Sequence, residues 1–331
     1  MEKSSDRSQY DAAGAAVNVA SDLAGCVLTL RKLIMPRADY LDEKIAAAVA
    51  QGKSTAGLLA LLTSKEFRKN FPGMFAGIGY GHEAPEVEYD IPATDLYTLF
   101  DHVSQEWEKL GREQPAWSVL SVDKYKDVPP ASIPPSFYKS GEAQVGQVVK
   151  ALRRHNIRPR FTKTVEYGCG IGRITFPLAQ RSTSIVAYDI SRAHLEVART
   201  QAVRRKATNV RFEHIDRPDV KLEAGYDFYY SSLVYQHNPP PIIHHLVRQA
   251  LDGLLPGGVA IFQLPVFLKG YRFRLSEYLE KEKAGIEMHA LPQRVVLDLV
   301  ERSDCRVLEV FDSSLNLRDR ILSNIFTVQK R

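Results

Sequence analysis

Apolar positions recur every three to four residues through the first third of the chain. Leu41, Ile45, Ala48 and Val49 share one helical face, as do Leu96, Leu99, Phe100, Val103 and Trp107. This spacing predicts a helical region from about Asp11 to Leu110. Between Arg112 and Gly141 the period fails, and Pro115, Pro129, Pro130, Pro134 and Pro135 deny backbone donors to any continuous helix or central strand. The domain junction is predicted there. It divides residues 1–135, an α-helical accessory region for substrate binding or oligomerisation, from residues 136–331.

Beyond Gly141 the texture changes. One amphipathic helix (Val145, Val148, Val149, Leu152) is followed by short apolar runs that alternate with helical patterns to the C-terminus. The runs predict strands at Thr164–Tyr167, Ile185–Asp189, Val210–Glu213, Tyr226–Tyr230, Gly258–Leu264, Arg306–Phe311 and Ile321–Val328. Such alternation defines an α/β fold, a mostly parallel sheet with helices on both faces. The last two strands follow a helix at Arg294–Glu301 closely enough to form a terminal antiparallel hairpin.

Composition narrows the class without changing this plan. The 331 residues are 44% hydrophobic and 25% charged, an ordinary globular balance with room for two domains. Charged residues throughout Met1–Asp11 fit neither a signal peptide nor a membrane span, so a cytoplasmic protein is expected. Cys26, Cys169 and Cys305 lie far apart, which offers neither a disulfide framework nor a thiolate zinc site. The net charge of +5 is mild. Basic runs at Lys150–Lys163 and Arg199–Lys206 read as solvated helix faces, and nucleic acid is not the expected partner.

The chemistry concentrates in Val165-Glu166-Tyr167-Gly168-Cys169-Gly170-Ile171-Gly172-Arg173. A strand ending at Tyr167 and a helix opening near Arg173 enclose three glycines, whose missing side chains let a ligand approach the backbone. A dinucleotide loop would want glycine at position 173. The next strand ends in Asp189, about 20 residues downstream, where a carboxylate can accept hydrogen bonds from ribose hydroxyls. Ser191 is the better helix cap. The third strand is followed by Asp216, either an adenine-side acceptor or a turn residue before Pro218.

With these elements in order, residues from about Phe137 to Val328 resemble the Rossmann-like, seven-stranded (class I) S-adenosylmethionine-dependent methyltransferases. The matching segments are E-Y-G-C-G-I-G-R, A-Y-D-I-S, the acid after strand three, Y-D-F-Y-Y-S-S-L-V-Y-Q-H-N and L-L-P-G-G-V-A-I-F. The resemblance implies S-adenosyl-L-methionine as cofactor. Glu166 and Gly168, Cys169, Gly170, Gly172 and Arg173 would hold its methionine portion, Asp189 with Ile190 the ribose, and Asp216 with Ile215 the adenine. Ser231, Ser232 and Leu233 would close the methionine side, and Phe137–Gly141, with Tyr138, resembles the family's N-terminal lid. Gly52-Lys53-Ser54 with Leu61–Phe67 resembles helical modules beside bacterial glycan-processing domains. Trp107–Gly111 through Trp117–Leu120 resembles the lead-in of methyltransferases that modify sugars or polysaccharides.

Methyl transfer to a hydroxyl benefits from a general base near neutral pH. His237, just after strand four, and His289, in the insertion after strand five, are the candidates, each with an alternative structural role. Strand ends reading Ser231-Ser232 and Gln263-Leu264-Pro265 offer no carboxylate cluster, so no metal is expected. Asn238-Pro239-Pro240-Pro241 lacks the aromatic of a base-methylating motif and reads as the start of a helix. Tyr226, Phe228, Tyr229, Tyr230 and Tyr235 read as core, whereas Tyr271, Phe273 and Tyr278, with Lys269, Arg272 and Arg274, are placed to meet an acidic or sugar ligand. The expectation is an O-methyltransferase for a saccharide or glycan intermediate. A small-molecule metabolite or RNA acceptor, an NAD-dependent oxidoreductase and a catalytically silent scaffold remain as alternatives, and the N-terminal helices offer a homo-oligomer contact.

Overall fold

The computed structural model describes Ala47, Gln51 and residues 85–280, 286–313 and 321–331. The helical pattern at Leu41–Val49 and the segment 52–67 lie outside the described residues, apart from Ala47. The chain divides into units 1–74 and 75–331, and the second is described here. Its elements in chain order are β1 (Glu86–Val87), α1 (Ala93–Glu113), α2 (Pro115–Val119), α3 (Pro135–Arg154), β2 (Phe161–Tyr167), α4 (Thr175–Ala179) and β3 (Ser182–Asp189). They continue with α5 (Arg192–Arg205), β4 (Val210–His214), β5 (Tyr226–Ser231), α6 (Pro240–Asp252), β6 (Leu254–Leu268), β7 (Arg272–Phe273), α7 (Leu275–Glu280), α8 (Gln293–Arg302), β8 (Cys305–Asp312) and β9 (Ile321–Lys330).

Seven strands form one sheet in the order β4-β3-β2-β5-β6-β9-β8. The first five run parallel, and β9 lies antiparallel between β6 and β8. Every apolar run in the second half therefore became a strand of this sheet, and the C-terminal pair is antiparallel as its spacing predicts. The sheet is the mostly parallel, seven-stranded arrangement that the seven apolar runs predict. Strand β5 shows why the central runs are apolar throughout: Tyr226, Phe228, Tyr229 and Tyr230 are all buried, because helices cover both faces of a parallel sheet.

The prolines act differently from the prediction. Pro115 and Pro135 occupy the first turns of α2 and α3, where the missing N–H costs nothing, so α3 begins six residues before Gly141 instead of after it. A break was expected because proline interrupts a helix interior, whereas here it starts two helices. The helix after the glycine loop also opens later than expected, at Thr175.

Helix α1 packs on the N-terminus of α5. Glu108 Oε2 accepts bonds from Ser191 Oγ and the Ala193 amide, both at 3.2 Å, placing a carboxylate at the positive end of the α5 dipole. Ser191 also caps that helix by accepting from the His194 amide, as its position predicts. Leu99, Phe100 and Val103 bury the inner face of α1, and Trp107 packs against the same core. These contacts bring α1 to the edge of the sheet where β2 and β3 end.

Candidate active site

The loop after β2 begins at the carboxyl edge of the sheet, where ligands of open α/β folds bind. Gly170 sits at φ +53°, and a Cβ there would lie 2.5 Å from Val119 Cγ2. Only glycine fits both the left-handed backbone and the close approach of α2. Gly172, at φ +86°, faces the Phe176 ring, so its glycine serves packing within the loop.

Asp189 fastens this loop from the end of β3. Its Oδ2 accepts from the Gly170 amide at 2.7 Å and its Oδ1 from the Ser191 amide at 2.9 Å. Two charge-assisted bonds hold the carboxylate at the base of a cavity that opens to solvent. Glu166, Gly168, Cys169, Gly170, Arg173, Asp189, Ile190, Ser232 and Leu233 line it, so nine of the expected cofactor residues converge there.

Several of the others do not reach it. Gly172 turns toward Phe176, Ser231 Oγ bonds the Tyr167 carbonyl at 3.0 Å, Ile215 is buried in the core, and Asp216 is exposed. None of the four is among the cavity's lining residues. Tyr138 is also absent from the lining. Its ring stacks under the Arg205 guanidinium at 3.9 Å and touches Phe137 and Phe176, while burial pushes its phenol pKa up to about 12.

Two buried groups in this cavity have unmet polar demand. Glu166 Oε2 and Arg173 Nε make no hydrogen bond within the protein. Burial raises the Glu166 pKa to about 7, against the pull of Thr175 and Arg173. Arg173 is held by a relay from α3: its Nη2 donates to Gln144 Oε1 at 2.8 Å, and Gln144 Nε2 reaches Tyr230 Oη at 2.8 Å and Ser232 Oγ at 2.9 Å. Leu233 takes φ +64°, an uncommon state for a branched residue, and its amide is secured by Gln263 Oε1 at 2.9 Å.

Sequence reasoning missed Trp107, Ser118, Val119, Tyr167, His194, Val234 and Asn238, which also line the cavity. His194 is buried with Nε2 2.8 Å from Ser118 Oγ, and burial lowers its pKa. Tyr230, read as core, is buried in the sheet and also lines the cavity.

His237 and His289 line a second cavity of about 390 Å³, together with His102, Val103, Glu106, Trp107, Leu110, Tyr278, Ile286 and Glu287. Trp107 lines both cavities, with its ring 5.3 Å from that of His237. His237 does not border the first cavity, where its place after strand four led it to be expected. Its Nδ1 lies 2.9 Å from the Glu287 carbonyl oxygen, which can only accept, so Nδ1 carries the proton. Nε2 then accepts from Gln236 Nε2 at 2.9 Å, and burial lowers the His237 pKa to about 4. His289 is buried with Nδ1 2.8 Å from Tyr271 Oη, enclosed by the rings of Tyr271, Phe273 and Tyr278. Its Nε2 makes no hydrogen bond and stands 3.5 Å from Glu287 Oε2. Arg272 and Arg274 are engaged elsewhere, by Glu277 and Glu86 at the exposed surface.

Comparison with known proteins agrees with this geometry. Residues 165–258 match the family model of a methyltransferase domain. None of the curated proteins matches the chain in sequence. Among solved structures, magnesium protoporphyrin IX methyltransferase from Synechocystis PCC 6803, with bound S-adenosylhomocysteine, superposes with a TM-score of 0.50 at 16% identity, covering 70% of this chain and 99% of that one. The N-methyltransferase NodS from Bradyrhizobium japonicum gives 0.47 at 14% identity over 68% and 98% of the two chains. The [4+2]-cyclase SpnF gives 0.42 at 13% over 56% and 80%. Residues 165–258 thus resemble a methyltransferase domain, and the described unit shares its fold with the first of these structures. No described helix is long and apolar enough to cross a membrane.

Proposed function

We propose that the protein transfers the methyl group of S-adenosyl-L-methionine to a hydroxyl of a saccharide or glycan intermediate, with His289 as general base. The single observation that carries this reading is that two cavities share Trp107 as a lining residue: one floored by the glycine loop and Asp189, the other holding both histidines. Orphaned Glu166 Oε2 and Arg173 Nε fit a ligand that bears both an ammonium and a carboxylate, as the methionine end of the cofactor does. Asp189 would take the ribose, and Ser232 and Leu233 would close the opposite wall. Bound there, the cofactor supplies a methyl group on sulfonium.

The protein's own part is alignment, exclusion of water and proton removal. His289 suits the last task, because Nε2 is unengaged and Glu287 Oε2 at 3.5 Å can stabilise the imidazolium that proton removal creates. His237 suits it less. Its lone pair is taken by Gln236 and its low basicity follows from burial, so it holds Glu287 and the insertion in place. The sugar class rests on the Tyr278 and Trp107 rings that line the second cavity and on the resemblance of the lead-in helix, whereas Tyr271 and Phe273 pack on His289 and do not line it. Residues 1–135 would then present the acceptor or join protomers.

Calorimetric titration with S-adenosylmethionine, S-adenosylhomocysteine and NAD in parallel tests the cofactor. Selective binding of NAD would overturn the reading, and binding of none would favour a scaffold. A methyl-transfer screen across nucleotide sugars, glycans, small phenols, amines and RNA tests the acceptor.

A further inference from the structure

Arg173 is 4% exposed, and its hydrogen-bond partners among the described residues are neutral. Its Nη2 donates to Gln144 Oε1 at 2.8 Å, its Nη1 reaches Ser140 Oγ at 3.4 Å, and Nε has no partner. Glu166 is near enough for its charge to act on Arg173, yet Glu166 Oε2 makes no hydrogen bond either. A guanidinium taken out of water among neutral partners is costly unless an anion joins it. Helix α3 is what holds the group. It passes so close that a Cβ at Gly141 would collide with the Arg173 carbonyl, and Gln144 follows about one turn later.

The orientation of Gln144 is fixed by this contact. A guanidinium can only donate, so the amide atom facing Arg173 is the oxygen, and the amide nitrogen faces Tyr230 Oη at 2.8 Å and Ser232 Oγ at 2.9 Å. Both hydroxyl oxygens therefore accept from Gln144. The two hydroxyls also bond each other, which uses one of their hydrogens and leaves the other for a ligand. Arg173, Tyr230 and Ser232 all line the first cavity. We propose that Gln144 is the positioning residue that gives these three side chains a common polarity, making them a donor-rich seat for a carboxylate. A carboxylate brings acceptors and a full negative charge, whereas a hydroxyl or an amide would bring a donor of its own. The inference rests on the methyltransferase reading only in taking that carboxylate to be the one at the cofactor's methionine end.

Calorimetry on the full chain compares S-adenosylhomocysteine with its decarboxylated analogue, which keeps the ammonium, the sulfur and the nucleoside. The wild type is expected to prefer the carboxylate-bearing ligand about tenfold or more, the scale of one charge-assisted contact. Gln144→Glu keeps the shape of the side chain, but sets a carboxylate against Arg173 and removes the donors to Tyr230 and Ser232. It should weaken S-adenosylhomocysteine about tenfold and the analogue by less than about threefold, erasing the preference while thermal melting stays close to that of the wild type. A residue that only supported the fold would weaken both ligands alike. No preference in the wild type, equal weakening of the two ligands, or a preference intact in the variant would overturn the proposal. If Gln144→Glu does not fold, Gln144→Met, neutral and of similar length, is measured in its place and should lose most of the preference. Should neither ligand bind the wild type, the cofactor reading falls and acetate decides the seat. A saturable shift of the Arg173 Nε–H resonance in the wild type, absent in the variant, upholds it, and no shift in either overturns it.

Discussion

The Gly170 amide donates a 2.7 Å bond to Asp189 Oδ2, tying the loop after β2 to the end of β3. Strand β2 pairs with β3 in parallel through Tyr167 and Tyr188, so this bond extends the sheet's own register into the loop. The carboxylate proposed to hold the ribose is therefore also the fastening of the glycine loop.

Asp189→Ala should accordingly weaken S-adenosylhomocysteine binding by about 1–3 kcal/mol and lower stability as well, since the Gly170 and Ser191 amides lose their acceptor. Asp189→Asn, which retains one carbonyl oxygen, should lose less of both. Calorimetry and denaturant melts separate the two effects. Unchanged affinity in the alanine variant would mean that the ribose is held elsewhere.

Gly170→Ala should destabilise by about 1–3 kcal/mol, from the left-handed backbone and the clash with Val119. Val119→Ala in the same chain should recover only the steric share. A double-mutant cycle showing no coupling would place the whole cost in the backbone.

Glu166 predicts a pH dependence with a definite sign. Its folded pKa of about 7 lies above the usual carboxylate value because burial penalises the charged form. Its contribution is fully present below about pH 4.5 and is lost as pH rises toward 7, an effect on the order of 3 kcal/mol. The stability difference between the wild type and Glu166→Gln should therefore shift across that window and level off above it. A difference independent of pH would mean that the group ionises normally.

The two histidines should separate in turnover once an acceptor is known. His289→Ala is expected to lower kcat about 10²–10⁴-fold with cofactor affinity retained, as for a lost general base. His237→Ala should cost less in kcat and more in acceptor KM, because it frees the Glu287 carbonyl and loosens the insertion. Since His237 stays neutral above about pH 4, no inflection of the rate between pH 5 and 8 should vanish with it. Equal losses in the two variants would argue for a shared structural role.

The sheet was legible because its signal is local: buried parallel strands such as Ile185–Asp189 must be apolar, and the glycines and Asp189 carry their constraint at fixed spacing. Helix starts were less so, since proline reads the same whether it ends one helix or opens the next, as Pro135 does. Residues that join the site from other elements had no local mark. Trp107 is an ordinary apolar position of α1, and only its packing on α5 through Glu108 brings it to the cavity. Gln144 likewise looks like any polar helix residue, and its role emerges only where Arg173, Tyr230 and Ser232 meet it. Asp216, open in the sequence between an adenine-side acceptor and a turn residue before Pro218, is exposed and outside the cavity lining, as the turn reading has it.

Trp107 is one indole that lines both cavities. A molecule that fixes its ring from one side alters the surface presented to the other, and such linkage is reciprocal: whatever factor the donor adds to acceptor affinity, the acceptor adds to the donor's. The demethylated product, lacking the group that was transferred, would set that same ring differently. One side chain would thereby make the order of arrival and departure a property of the protein.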